Sequence, residues 1–402
     1  MAFFYSVGAR ASSGIKIFAS FGEKLGFTVI SDRDDTAKQL SVSYNKARNI
    51  VPETRLLAGS EANFPDMISY LVDQNQGFAI RSGGHCFGGF SQHQELVLDL
   101  RRINRIDVEP DTKTVKVGSG ATIGELYDAL TPYGLTLPAG TYRHVGLGGH
   151  VLGGGFGYYS RHHGMLCDTL RALKIVTAEG TELTASAEQN ADLFWACQGG
   201  GGGSLGLVTE FTFEAVPFDA LHAVKFTDTA SPKDAARILY NWQFWSKLSA
   251  NHTTHMHFSR HSENSFYLNL TGISVDPSRS KLETEIQQVF GRKRPIHPNY
   301  IKTASQKETQ EFLYEKTSYS SALFLSRSDY LEKPLPLEAI QELVGVLMQY
   351  PPNSVELVFE ALGGEIAKVP PGATAFPHRN AEILVQYLGE IWKPEQREIR
   401  KQ

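Results

Sequence analysis

Cysteine is scarce in this chain of 402 residues, which contains only Cys86, Cys167 and Cys197. So few cysteines, so widely spaced, argue against a disulfide framework or a cysteine-rich metal site. A long hydrophobic segment is missing too, because no run reaches the roughly eighteen apolar residues of a transmembrane helix. The first residues lack the charged and apolar regions of a signal peptide. The sequence therefore predicts a cytoplasmic protein that does not span a membrane.

An excess of charge of either sign is also absent. The chain has 39 Lys and Arg against 43 Asp and Glu, which gives a net charge of −4. This near balance gives no electrostatic reason to expect a nucleic acid or an anionic membrane as a partner. With 41% hydrophobic and 20% charged residues, and enough length for two or three domains, the composition is typical of a globular enzyme.

Histidines with the spacing of a metal site are missing as well. His144, His150, His162 and His163 lie close together in sequence. Their spacing fits no helical pair of ligands with a carboxylate, and no cysteine cluster accompanies them. We therefore expect no metal.

Glycine, in contrast, is concentrated in three clusters in the first half of the chain, at 83–89, 146–157 and 199–206. Glycine allows sharp turns and lets backbone N–H groups approach a ligand closely. One cluster alone would indicate a turn, but three beside predicted strands and helices favour a nucleotide-like cofactor. The sequence has no P-loop, and residues 146–151 lack the last glycine of a Rossmann fingerprint. A different nucleotide-binding fold is therefore predicted.

The order of predicted strands and helices in the first half indicates an α+β fold rather than regular βαβ repeats. Hairpins are predicted at 105–117 and 173–185. Between them, Thr122 and Glu125 form a predicted capping box, and Gly134 is the predicted end of the helix.

A domain boundary is predicted where Pro217 interrupts the last strand of the first half. This gives domains of residues 1–215 and 216–402. The second domain is predicted to begin with a helix at Ser231-Pro232, because serine is a favoured cap and proline a favoured first residue. Antiparallel strands with helices on one face are the expected architecture of this domain.

The first glycine cluster holds a single histidine, in Arg81-Ser82-Gly83-Gly84-His85. This loop resembles the flavin-attachment loop of the berberine bridge enzyme-like oxidases, which belong to the vanillyl-alcohol-oxidase/PCMH class of FAD enzymes. Further segments that resemble this family lie at 138–157, 192–209, 324–330 and 376–379. The resemblance implies a PCMH-type FAD-binding domain, followed by a substrate domain.

The resemblance implies that His85 is bonded covalently to the 8α-methyl group of FAD, which raises the reduction potential of the flavin. The alternative is a loop histidine that is bonded only to backbone. The matching positions imply a cofactor site formed by Arg81, Ser82, Gly83, Gly84, His85, Gly88, Ser91, Val145, Gly146, Gly148, Gly149, His150, Gly153, Gly154, Gly157, Gly206 and Val208.

Two positions depart from the family pattern. Many members hold the flavin by a second bond, to a cysteine, and the matching residue here is Tyr142, which implies a single 8α-histidyl link. Cys86 and Cys167 do not occupy that position and are predicted to be packing residues. Other members use a catalytic tyrosine where this chain has Phe156, which cannot exchange a proton. We therefore expect proton transfer from the second domain.

Three residues are candidates for that proton transfer. The segment at 358–364 resembles the family strand whose central polar residue faces the flavin, and in berberine bridge enzyme itself a glutamate there is the base. Burial would raise the pKa of Glu360 and suit it to this role, and the alternative is a glutamate on the solvent face of the strand. Tyr387 is the second candidate and Tyr142 the third, although most tyrosines in such strands are packing residues.

The resemblance implies an FAD-dependent oxidase of secondary metabolism. Its substrate is a bulky small molecule, whose alcohol or amine carbon gives a hydride to flavin N5, and molecular oxygen accepts the electrons. Val145 resembles the oxidase type at a position that oxygen approaches in relatives, and a core valine is the alternative. Two other classes stay open: a flavin-dependent cyclase without net oxidation, and a flavin-binding protein without catalysis.

The end of the chain is the last departure from the family. The sequence stops at Gln402, after a charged run at 393–401, whereas family members continue with another segment that returns to the flavin domain. We expect the lack of that segment to leave the flavin pocket more open. A monomer or a small homo-oligomer is expected.

Overall fold

The computed structural model describes residues 20–249, 251–292, 296–303, 305–313 and 323–390. The charged run at 393–401, on which the expectation about a final segment depends, lies outside these ranges. Within them, no helix has the length and apolar character needed to cross a membrane.

The first sheet has four strands in the order β1-β2-β4-β3. Its edge strand β3 leads directly into the loop that contains His85. Strands β2 and β3 both run parallel to β4, so part of this sheet is parallel. The helix of residues 64–73 buries its apolar side against the sheet. The elements are β1 (Phe27–Ser31), α1 (Ala37–Leu40), β2 (Thr54–Ala58), α2 (Phe64–Asp73), β3 (Phe78–Arg81) and β4 (Leu96–Asp99).

The second sheet has five antiparallel strands in the order β5-β6-β10-β8-β9. Both predicted hairpins and the capping box at Thr122 and Glu125 are confirmed. The elements are β5 (Ile106–Glu109), β6 (Thr114–Gly118), α3 (Ile123–Leu130), β7 (Leu135–Thr136), α4 (Leu147–Leu152), α5 (Ser160–His163), β8 (Leu170–Val176), β9 (Glu182–Ser186), α6 (Ala191–Cys197), β10 (Leu207–Glu214) and β11 (Val216–Pro217).

The third sheet, called the large sheet below, has seven antiparallel strands in the order β15-β12-β14-β13-β17-β18-β16. As predicted, its first helix begins at Pro232, and the side chain of Ser231 caps it. The elements are β12 (His222–Ala230), α7 (Pro232–Leu248), β13 (His252–Ser262), β14 (Ser265–Ser274), α8 (Arg279–Phe290), β15 (Ile301–Thr303), α9 (Gln306–Leu313), β16 (Phe324–Leu331), α10 (Leu337–Leu347), β17 (Val355–Ala361), α11 (Glu365–Lys368) and β18 (Ile383–Glu390).

The two faces of the large sheet have different neighbours. Helices α7, α8 and α10 cover one face, where Trp242, Phe258 and Phe359 belong to one apolar core, as the prediction of helices on one face requires. The other face packs against the first half of the chain, where Ile273 joins the core of the five-stranded sheet. Helix α9 departs from the prediction of helices on one face, because its Leu313 belongs to the core on this second side. The division at residue 215 stays a prediction.

Candidate active site

The three glycine clusters come together in space although they are far apart in sequence. A Cβ on Gly146 would overlap the backbone nitrogen of Gly83, and a Cβ on Gly83 would overlap that of Gly146. A Cβ on Gly202 would lie 3.8 Å from the Cα of Gly149, which connects the second cluster to the third. Only glycine allows backbones to approach this closely, so the clusters define one composite site.

Several of these glycines face open space. A Cβ at Gly149, Gly201 or Gly203 would meet no atom within 4 Å. Gly201 and Gly203 also have φ of +100° and +81°, in the left-handed region that favours glycine. The N–H of Gly201 donates to the carbonyl of Leu152 at 2.8 Å. Glycine backbone beside open space, as at Gly149 and Gly203, can approach a phosphate closely, so these segments fit a nucleotide cofactor such as FAD.

The imidazole of His85 is held inside this site. It stacks on the ring of Tyr44, with ring centroids 3.8 Å apart and an angle of 19° between the planes. Burial, followed by the nearby His144 and His150, lowers the pKa of His85 to about 4, so the ring is neutral at physiological pH. Its Nε2 is buried, and no described residue forms a hydrogen bond with it. A neutral ring with an unbonded nitrogen is chemically suited to a covalent link.

The side chains around His85 support the loop itself. Arg81 is buried at the end of β3, where its Nη2 donates to the carbonyl of Val42 at 2.6 Å. The hydroxyl of Ser82 donates to the carbonyl of Ser119 at 2.8 Å. Gly88 packs under the ring of Phe90. The hydroxyl of Ser91 is buried and has no partner among the described residues. The hydrogen bonds of Arg81 and Ser82 therefore attach the start of the loop to the backbone at Val42 and Ser119.

In the second cluster, His150 has a defined partner in the protein. Its Nε2 accepts a hydrogen bond from the backbone N–H of Gly140 at 2.9 Å, and burial lowers its pKa to about 4. Val145 is half-buried against the core of the five-stranded sheet. A Cβ on Gly148 would lie 2.9 Å from the carbonyl oxygen of Ser119, whereas a Cβ on Gly153 would meet nothing closer than 3.4 Å. This cluster is therefore a rigid turn with one open side.

Four of the predicted cofactor residues are surrounded by protein. Gly157 packs on the carbonyl of Ala139, Gly206 on the carbonyl of Val176, and Gly154 on Met165 and Phe376. Val208 is buried in the core of the five-stranded sheet. Packing within the protein is enough to explain why a glycine or a valine occurs at each of these four positions. A contact between these residues and the cofactor remains a prediction.

Glu360 lies on the face of the large sheet that points to the first half of the chain. Its neighbours Phe359 and Ala361 belong to the core on the helix side, so strand alternation turns Glu360 the other way. The residue is 8% exposed, which contradicts the alternative of a solvent-facing glutamate. Its Oε2 accepts a hydrogen bond from Gln386 at 3.1 Å. Burial raises the pKa of Glu360 to about 7, against smaller opposing effects of Gln386 and His257.

The sequence did not identify His255 or Tyr330, which both accompany Glu360. His255 pairs with Glu360 across β13 and β17, and its Nδ1 lies 3.6 Å from Oε1 of Glu360. Burial lowers the pKa of His255 to about 3, so this contact is not an ion pair. Burial, followed by the charge of Glu360, raises the pKa of Tyr330. Both residues are brought to Glu360 by the pairing of strands that are distant in sequence, and a single sequence does not show which residues of two strands are paired.

The end of the second glycine cluster contacts this part of the large sheet. The ring of Tyr158 lies 4.6 Å from the ring of His255, and its hydroxyl donates to Thr271 at 2.8 Å. Phe156 lies 6.5 Å from the same imidazole. Glu360 is therefore two contacts away from the glycine clusters, at the junction of the two halves.

The other two candidates for proton transfer lie elsewhere. Tyr387 pairs with Leu357, whose side chain is in the core on the helix side, so Tyr387 lies on the opposite face of the sheet from Glu360. The second candidate therefore does not face Glu360, because side chains alternate along a strand and Tyr387 directly follows Gln386, which shares the face of Glu360. Tyr142 is half-exposed, and its ring lies 5.9 Å from that of His85.

A buried ion pair also joins the two halves of the chain. Arg379 donates two hydrogen bonds to the carboxylate of Asp168, at 2.7 and 2.8 Å, and Arg379 is completely buried. Phe376, in the same loop, packs against the third glycine cluster at Gly199. Cys167 is buried beside this pair, and burial raises the pKa of its thiol to about 12, so it packs rather than reacts. Among the described residues, no three His, Cys, Asp or Glu side chains form a possible metal site.

Comparison with known proteins agrees with this geometry. Residues 52–186 match a family described as FAD binding domain. The FAD-linked oxidoreductase YgaK of Bacillus subtilis is 31% identical over 383 residues, which cover 92% of this chain and 82% of YgaK. Reticuline oxidase of Eschscholzia californica is 27% identical over 353 residues, and the chain spans 65% of its length.

The solved structure of a berberine bridge enzyme variant with (S)-reticuline superimposes with a TM-score of 0.85 at 24% identity, over 98% of this chain and 82% of that one. The fold is therefore that of the PCMH-type FAD-binding proteins. The chain belongs to the berberine bridge enzyme-like family of FAD-linked oxidoreductases.

Proposed function

We propose that this chain is an FAD-dependent oxidase that holds its flavin by a single covalent bond to His85. It oxidises an alcohol or amine carbon of a bulky small molecule, in secondary metabolism, and molecular oxygen is the acceptor. One observation carries the proposal: a buried carboxyl with a raised pKa, Glu360, contacts His255, and the ring of His255 lies against Tyr158, directly after the second glycine cluster. Gly149 and Gly203 would hold the phosphates of FAD through their backbone N–H groups, whereas the N–H of Gly201 donates to the carbonyl of Leu152 at 2.8 Å.

When bound, the flavin supplies the redox chemistry by accepting a hydride from the substrate carbon. The protein has to remove the proton of the substrate O–H or N–H. Because the pKa of Glu360 is about 7, a substantial share of the carboxyl is ionised at neutral pH, and it still binds a proton strongly. Gln386 fixes one carboxyl oxygen and leaves the other beside His255.

The substrate would lie along the same face of the large sheet. This face carries Gln386 and a pair in which His257 Nδ1 lies 2.8 Å from Glu356 Oε1. Both members of that pair are partly exposed. A partly solvated polar wall next to the aromatic rings of Tyr158 and Tyr330 suits an aromatic substrate with a hydroxyl or amine group.

The covalent link is tested by acid precipitation of the purified protein. We expect a yellow, fluorescent pellet for the wild type and a colourless pellet for His85→Ala, whose flavin would appear in the supernatant. A control variant, His93→Ala, changes a histidine outside the site and should keep the yellow pellet. A colourless wild-type pellet would refute the link.

The catalytic proposal is tested by anaerobic flavin bleaching. Two probes represent the two substrate classes: coniferyl alcohol for alcohols, and (S)-reticuline, which is bound in the solved structure of the berberine bridge enzyme variant, for amines. We expect Glu360→Gln to slow bleaching by about 10²–10⁴-fold, the typical contribution of a general base. Glu356→Gln on the same strand should change it far less. Air should then restore the yellow colour and yield one peroxide per product, whereas a cyclase would release none.

A further inference from the structure

The Tyr44 ring is the surface on which the His85 imidazole lies. Beyond the 3.8 Å stacking contact, the backbone N–H of Tyr44 donates to the carbonyl of Gly84 at 3.1 Å, directly before His85. Tyr44 thus contacts both the imidazole and the main chain beside it. Tyr44 lies outside the three glycine clusters, in the segment before β2.

Asn45 fixes this segment on the opposite side. It is buried, and its Nδ2 donates to the carbonyl of Phe87 at 3.0 Å and to that of Phe324 at 3.1 Å. Its Oδ1 accepts from the backbone N–H of Ala47 at 3.1 Å. Phe87 lies two residues after His85, and Phe324 begins β16 of the large sheet. The residues around Tyr44 are therefore anchored to both halves of the protein.

The His85 loop needs such support because its own backbone gives little. Gly84 and Gly89 have φ of +72° and +82°, and Gly83 and Gly88 also flank the histidine. Glycine has the greatest backbone freedom of all residues, so the loop alone would leave the imidazole free to reorient. A reaction between two held groups is fast only when their geometry is fixed.

We propose that Tyr44 is a positioning residue for covalent attachment of the flavin: its ring fixes the plane of the His85 imidazole so that a ring nitrogen meets the 8α-methyl carbon. This inference rests on the proposed covalent link. In the attachment, one N–C bond replaces one N–H and one C–H bond. The two protons and two electrons released reduce the isoalloxazine, and molecular oxygen reoxidises it and forms hydrogen peroxide.

The test measures the covalent share of the bound flavin, which requires no substrate. Purified Tyr44→Leu, Tyr44→Met and Tyr44→Phe proteins are compared with the wild type by total bound FAD and by FAD in the acid pellet. We expect Leu and Met to lower the covalent share on the order of tenfold, because orientation is lost, while total FAD stays near one per chain. Tyr44→Phe keeps the ring and should restore the wild-type share.

A matched control is Tyr240→Leu. Tyr240 is also paired with an aromatic ring, that of Phe244 at 4.9 Å, but it lies on α7 away from the glycine clusters. The covalent share should be unchanged in this variant. If Tyr44→Leu does not fold, Tyr44→Met decides, because its flexible chain fills the space at a lower packing cost.

The outcomes separate this inference from the proposed function. A colourless wild-type pellet would overturn both. A yellow wild-type pellet together with an undiminished covalent share in Tyr44→Leu or Tyr44→Met would overturn the positioning role alone. So would an equal loss in Tyr44→Phe and Tyr44→Leu, because the ring would then not be the relevant group.

Discussion

At the scale of single residues, Glu360 carries an unusual electrostatic cost. The residue is 8% exposed, and only Gln386 among the described residues donates a hydrogen bond to its carboxyl. Burial therefore favours the protonated form, which is the opposite of what a purely structural glutamate needs. A residue that is costly to ionise and lies at the junction of two halves is a strong candidate for a functional role.

This cost predicts how stability depends on pH. The pKa of Glu360 rises from 4.5 to about 7 on folding, so between these values the folded protein binds more protons than the unfolded chain. The contribution of Glu360 is therefore complete below pH 4.5 and is lost as the pH rises through 7. Glu360→Gln removes the titration, and we expect it to stabilise the protein by up to about 3 kcal/mol at pH 8 and by little at pH 4.5.

The measurement is urea unfolding of both proteins at the two pH values. Glu356→Gln, on the same face of the same strand but about one-third exposed, is the matched control and should show no such pH-dependent gain. A gain that is equal at both pH values would mean that the Glu360 carboxyl is not the titrating group.

At the scale of elements, the loop that contains Arg379 is attached to the first half by a buried ion pair and by backbone hydrogen bonds to Trp195 and Gln198. The Asp168 carboxylate accepts two hydrogen bonds from a guanidinium that is completely buried. Removing one partner leaves the other charge buried without compensation, which costs about 3–5 kcal/mol. We expect Arg379→Met to lose that amount of stability in urea unfolding.

Two comparisons make the Arg379 prediction specific. Arg171→Met breaks an exposed pair with Glu214 and should cost less than about 1 kcal/mol. The double variant Arg379→Met with Asp168→Leu should recover part of the loss, because no buried charge remains. A loss in the double variant equal to the sum of the two single losses would indicate packing rather than charge.

The contact between the first two glycine clusters gives a second prediction for elements. A Cβ at position 146 would meet the backbone nitrogen of Gly83 and the hydroxyl of Ser82, and a backbone atom cannot move aside cheaply. Gly146→Ala should therefore separate the clusters and destabilise the protein by about 1–3 kcal/mol. We expect the ratio of flavin to protein absorbance to fall at the same time.

Gly345→Ala is the control for this substitution. Gly345 lies in α10, and a Cβ there would meet nothing within 4 Å. Alanine in a helix is favoured over glycine by about 0.5–1 kcal/mol, so this variant should be slightly more stable and keep its flavin. Full flavin content in Gly146→Ala would contradict the composite site.

The elements also show what a single sequence can predict. Turn and cap signals are local, so both hairpins and the helix starts at Thr122 and Ser231 were predictable. For Glu360 the sequence left two alternatives, a buried and a solvent-facing carboxyl, and the structure shows the buried one. The face on which Tyr387 lies was not predictable, because a shift of one residue in strand register moves a side chain to the other face. His255 and Tyr44 were missed for a similar reason, since their roles arise from contacts between distant segments.

At the scale of the whole molecule, the large sheet and the first half are joined by many specific contacts. Arg161 donates to the carbonyl of His252 at 2.7 Å, and Gln306 donates to that of Leu135 at 2.7 Å. All these groups are buried. Each would lose its partner if one half unfolded alone, and an unsatisfied buried polar group costs about 1–3 kcal/mol. The candidate active site lies along this same junction.

These contacts predict that the two halves unfold together. Trp242 and Trp245 lie on α7 and report on the large sheet, whereas flavin fluorescence reports on the glycine clusters. In a Trp195→Phe variant, which removes the described tryptophan of the first half, we expect tryptophan and flavin signals to change at the same temperature. Coincident transitions are the signature of a single cooperative unit.

Arg161→Met is the informative perturbation of this cooperativity. It removes a buried link between α5 and β13 without touching the glycine clusters, so both transitions should shift down together. If instead the tryptophan signal moved alone, the large sheet would be an independently folding unit. The junction that holds Glu360 against the glycine clusters would then be an interface between separate domains, and the geometry of the site would depend on their docking.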